Sequence, residues 1–135
     1  MNSNYSSRAI SPDKGRERIS LLFNEVHRWL PLDTVGNLPI TLGYAGRGKQ
    51  PRRLCLELKE IDTSAQVSYI VEHLSDFQTG LGQPVEWQPT GKEGRGRGIL
   101  ALYFDRRPLP EESEQAWAER VYPLFLRIAQ HIAGR

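Results

Sequence analysis

The chain has 135 residues, one cysteine, and 18 basic against 16 acidic side chains, a formal net charge of +2. That length is about one domain, large enough to bury roughly two-thirds of its unfolded surface, and a single cysteine excludes an internal disulfide framework. No apolar run approaches the roughly 18 residues of a membrane span, and the polar start MNSNYSSRAI lacks a signal-peptide core, so the expected location is the cytoplasm with no membrane partner.

Residues 1–10 are rich in Ser and Asn without apolar periodicity and are expected to form a flexible tail, leaving 11–135 as a single domain. Ser11-Pro12-Asp13 has the signature of a helix start. Ile19, Leu22, Phe23, Val26, Trp29 and Leu30 then recur at helical spacing, and Pro31 is the expected stop. Leu38 to Tyr44 and Arg53 to Ile61 are strand candidates, the latter because Leu54, Leu56 and Leu58 alternate with Cys55, Glu57 and Lys59. The turn-rich GRGKQP between them suggests a hairpin with a long loop. Asp62-Thr63-Ser64 offers N-caps for a second helix carrying Val67, Ile70, Val71, Leu74, Phe77 and Leu81, closed by Gly80 and Gly82. Val85 to Gln88 lies between prolines and reads as an edge strand, whereas Ile99 to Phe104 is apolar on both faces and reads as an interior one. Glu111 to Ile132 is helical, with Pro123 expected to kink or split it.

Helices able to cover one side of such a sheet predict a two-layer α+β fold with three main helices and four antiparallel strands. The second helix returns the chain to the end where Arg53–Ile61 began, which gives the strand order 1-2-4-3.

No catalytic or metal-binding constellation emerges, and no cofactor is implied. His27, His73 and His131 fall on different expected helices without a ligand-spaced partner, and Cys55 reads as a buried structural thiol. The GKEGRGRG stretch lacks the ending of a phosphate loop and leads into a strand, so it reads as a hairpin loop with solvated arginines. Glu57-Leu58-Lys59 matches the E-x-K half of the PD-(D/E)xK nuclease signature, in which alternate strand residues present a metal-binding carboxylate and a lysine on one side. The strand before it, Pro39 to Tyr44, holds no carboxylate, and Asp33 is expected in a turn ahead of it. One carboxylate binds Mg²⁺ weakly, and alternation of this kind also suits a half-exposed strand.

From Arg53 to the C-terminus the chain resembles an uncharacterised bacterial domain family, the domain of unknown function often found C-terminal to restriction-endonuclease-like nuclease domains. The resemblance rests on RRLCLELKEID, a helix ending in LGQPVEWQP, GILALYFD, and a closing helix with Trp117 and Pro123. Leu81-Gly82-x-Pro84-x-Glu86-Trp87 is its most specific part. It implies an accessory, DNA-associated role in restriction or defence and transfers no catalytic residue. The expected function is therefore a non-enzymatic accessory or binding domain. The alternatives are a metal-dependent PD-(D/E)xK nuclease using Glu57 and Lys59, and a protein-interaction module that dimerises.

The strand order also gives an expected nucleic-acid site. Arg47, Lys49, Arg52 and Arg53 in the first long loop fall at the same end of the sheet as Arg106 and Arg107, while Lys92, Arg95 and Arg97 fall at the opposite end. A chain of small net charge can thus carry one basic pole, matched to phosphate.

Overall fold

A computed structural model of the protein describes Ile19 and residues 29–45, 53–90, 97–104 and 112–135. Five strands, β1 (Leu30–Val35), β2 (Leu38–Ala45), β3 (Arg53–Ile61), β4 (Val85–Pro89) and β5 (Gly98–Tyr103), form one sheet in the order β1-β2-β3-β5-β4, antiparallel throughout. Two helices are described, α1 (Ser64–Leu81) and α2 (Glu114–Ala133). The fold is α+β, but the expected four strands and three helices are corrected to five strands and, among the described residues, two helices. The four expected strands appear as β2, β3, β5 and β4, and the addition is β1, outside β2. Most of the expected first helix, like the expected tail at 1–10, lies outside the described residues. Ile19 is helical and fully buried, whereas Leu30 belongs to a strand.

The physical cause of the extra strand is local. Val35 pairs with Leu38 across Gly36-Asn37, and Gly36 has φ +60° while Asn37 does not have a positive φ. A positive φ at the first central residue only is the pattern of a II′ turn, which matches the twist of a tight hairpin. Leu30, Leu32 and Val35 are buried on the core side, and a bulge between Pro31 and Asp33 interrupts their alternation. Proline at position 31 is tolerated because β1 is an edge strand.

The helices start and stop where capping chemistry dictates. The Thr63 hydroxyl accepts from the Gln66 N–H at 3.2 Å, and Gly82, at φ +64°, closes α1 with its N–H on the Gln78 carbonyl at 2.8 Å. Gly80 lies inside the helix. Ser113 caps α2, whose course from Glu114 to Ala133 continues through Pro123 without a split. The helices pack against each other, with α1 over β4 and α2 reaching β1. Between them and the sheet lie Leu54, Leu56, Leu58, Leu100 and Leu102 with Phe77, Trp117, Tyr122 and Phe125, all buried. Phe104 meets the Trp117 ring edge-on at 5.2 Å, a favoured aromatic geometry. The Trp117 indole N–H donates to Gln83 Oε1 at 2.9 Å, which satisfies a donor that would otherwise be orphaned in the core.

Candidate functional site

Because side chains alternate along a strand, the residues that do not face the helices share the opposite face of the sheet. Across its middle run Thr41, Glu57, Ala101 and Glu86, on β2, β3, β5 and β4, and the adjacent row holds Gly43, Cys55 and Tyr103. This face is not simply solvated. Trp29 lies flat enough over Gly43 that a Cβ there would sit 2.6 Å from the indole Cδ2 and Cε3. Cys55, Ala101 and Tyr103 form a small second core, with Trp29 and Ala45 packed against it.

Glu57 is caught at the edge of this second core and is only 8% exposed. The half-exposed strand expected from Leu-Glu-Leu-Lys is thus corrected: both faces of β3 are buried at this level. Among the described residues nothing hydrogen-bonds to the Glu57 carboxylate, and the Thr41 hydroxyl directly opposite has no partner either. Burial pushes the Glu57 carboxyl above its ordinary range, against the opposing pull of the Lys59 ammonium. Burial, and then the Glu57 charge, push the Cys55 thiol upward, so it stays protonated and a poor nucleophile. The Tyr103 hydroxyl, also raised chiefly by burial, accepts from Gln88 Nε2 at 2.5 Å.

Glu57 and Lys59 share a face, as an E-x-K pair would. The positions flanking Glu57 are nevertheless Thr41 and Ala101, and among the described residues no group of three His, Cys, Asp or Glu side chains could hold a metal. Asp33, expected in a turn, lies instead in β1 opposite Ile40, where its Oδ1 accepts from the Thr34 N–H at 2.6 Å. An environment that favours the neutral carboxyl is also a poor one for a divalent cation. His73 binds the Tyr69 carbonyl one turn back on α1, and His131 is exposed in the last turn of α2.

Of the six residues of the expected nucleic-acid site, Arg53 is described; Arg47, Lys49, Arg52, Arg106 and Arg107 lie outside the described residues, as do Lys92 and Arg95 at the other end. Arg53 is exposed at the start of β3, opposite Ala45, with its guanidinium carbon 4.4 Å from the centre of the Tyr103 ring. The Phe104 N–H donates to the Leu54 carbonyl at 2.9 Å. Ala45, Arg53 and Phe104, from which segments 46–52 and 105–111 depart, therefore stand together at one end of the sheet. At the other end Pro89 pairs with Gly98, and the Thr90 N–H reaches the Arg97 carbonyl at 2.9 Å.

That other end carries a feature not expected from the sequence, a cavity of about 360 Å³ lined by Lys59, Glu60, Ile61, Asp62, Thr90, Arg97, Gly98 and Ile99. It opens where β3 bulges. Leu58 pairs with Leu100 and Ile61 with Gly98, so two residues of β3, Lys59 and Glu60, oppose one of β5. Glu60 takes φ +59°, the one positive φ outside glycine among the described residues. A signal was present: apolar positions 54, 56 and 58 are followed not by 60 but by 61, the one-residue slip that a bulge produces. Gly98 is required here, since a Cβ would lie 2.6 Å from both the Gln88 carbonyl oxygen and the Trp87 ring.

No helix among the described residues is long and apolar enough to cross a membrane. No family model matches the chain, and no curated protein and no solved structure matches it.

Proposed function

We propose that the protein is a non-enzymatic binding domain of the cytoplasm that holds nucleic acid at one end of its sheet, as an accessory module in restriction or defence. The observation that carries this reading is the meeting of Ala45, Arg53 and Phe104 at a single sheet end, because the two segments departing there contain Arg47, Lys49, Arg52, Arg106 and Arg107. Basic side chains gathered at one pole attract a polyphosphate backbone even when net charge is small. Arg53 supports the reading further: its guanidinium rests against the Tyr103 ring, which holds that charge at this end of the sheet while the residue stays exposed. The likeness of Arg53 to the C-terminus to the uncharacterised nuclease-associated family supports the restriction context. The environment of Glu57 weighs against a metal-dependent nuclease. Dimerisation through a sheet edge is weakened by Pro31 in β1 and by Pro84 and Pro89 around β4, since proline removes the donors that edge pairing needs.

Fluorescence anisotropy with a labelled DNA duplex over a salt series tests the reading. Reversing Arg52, Arg53, Arg106 and Arg107 to Glu is expected to abolish binding. Single reversals are expected to lower the salt slope by about 0.9 for each phosphate that is no longer neutralised. Reversing Lys92, Arg95 and Arg97 is expected to matter much less. Equal weakening by the two sets, or no DNA affinity of the unmodified protein at low salt, refutes the reading and brings the dimerising protein-interaction module forward.

A further inference from the structure

The cavity at the bulged end of β3 has a wall chemistry distinct from the basic pole. Lys59 and Arg97 supply two positive charges to its lining, Glu60 and Asp62 two negative ones. Among the described residues, none of these four is ion-paired to another. Glu60, Asp62 and Arg97 are exposed and Lys59 half-buried, so the lining carries both signs of charge within reach of solvent. The floor is different. Ile99 is half-buried and Gly98 contributes no side chain, while Thr90 adds a neutral polar group; Ile61 backs the wall from within the main core.

The backbone here is held in a costly state. Glu60 sits in the left-handed region, which costs a non-glycine residue about 1–3 kcal/mol and persists where the surroundings enforce it, often beside a binding site. The strain has a geometric result: the bulge places Lys59 and Glu60 successively at the cavity instead of on opposite faces of a regular strand. The volume lies at the lower end of the range of small-molecule sites, roughly 300–1,000 Å³.

We propose that this cavity binds a small zwitterion of the class of the free aliphatic α-amino acids. Its carboxylate is taken by Lys59 and Arg97, its ammonium by Glu60 and Asp62, and its side chain by Ile99. The site is independent of the nucleic-acid reading, lying at the opposite end of the sheet, so each stands or falls alone.

Isothermal titration calorimetry of the full chain with L-valine and L-leucine, alongside their N-acetyl and methyl-ester derivatives, tests the proposal. The free amino acids are expected to bind, and blocking either charge is expected to weaken binding about tenfold or more, since each removes charge-assisted hydrogen bonds. Arg97→Gln is expected to reproduce the weakening caused by the ester, and to add little when the ester itself is the ligand. Asp62→Asn is expected to do the same for the N-acetyl derivative. Absence of binding by both free amino acids at millimolar concentration, or equal affinity of free and blocked forms, overturns the proposal, using only the unmodified protein.

Discussion

Substituting Gly43 by alanine probes the second core directly, because it adds a single methyl group beneath Trp29. The new Cβ would stand 2.6 Å from Cδ2 and Cε3 and 3.1 Å from Cγ, where carbon atoms settle at about 3.5–4.0 Å. The ring must therefore retreat by about 1 Å. The colliding atoms belong to the inner part of the indole, next to its attachment to the backbone, so a rotamer change cannot clear them cheaply. Overpacking of this kind costs about 1–3 kcal/mol. With Trp29→Ala in place the obstacle is gone, and Gly43→Ala becomes neutral or stabilising by about 0.5–1 kcal/mol, because glycine loses more backbone freedom in a strand than alanine does. The two effects together predict a coupling of about 1–4 kcal/mol between the substitutions. Urea unfolding followed by far-ultraviolet circular dichroism, with equal slopes for all four proteins, measures it. A cost of Gly43→Ala that is the same in both backgrounds refutes the packing of Trp29 on this face.

Glu57 and Gln83 give further tests. Since burial raises the Glu57 carboxyl in the folded state, the native protein holds its proton more tightly than the unfolded chain, whose value is near 4.5. Its contribution to stability is thus complete below that value and is lost as pH rises through the folded one. Glu57→Gln is expected to gain on the unmodified protein between pH 4 and pH 7 in denaturation experiments; a difference constant with pH contradicts the reasoning. Gln83→Leu strands the Trp117 indole N–H in the core and is expected to cost about 1–3 kcal/mol, with a displaced indole proton resonance. An unmoved resonance would show that the bond is not made.

Local pattern determined much of this protein. Alternation marks β3, flanking prolines mark β4 as an edge, a continuous apolar run marks β5 as interior, and Thr63 and Gly82 bound α1 as their chemistry requires. These signals are legible because each depends on residues within a turn or two of one another. Tertiary structure alone decided the rest. Leu30 to Val35 carries proline and a bulge that blur its period of two, and it becomes a strand only by pairing back on β2. Glu57 is buried rather than half-exposed, on the face where Trp29, distant in the chain, packs over Gly43 and against Cys55, Ala101 and Tyr103. The cavity forms because a slip in β3 meets the start of β5 and the residue after β4. Arg53 approaches Phe104 because β5 inserts next to β3. Each of these rests on contacts between remote segments, whose free energy depends on the whole sheet being assembled and which no short stretch of sequence encodes.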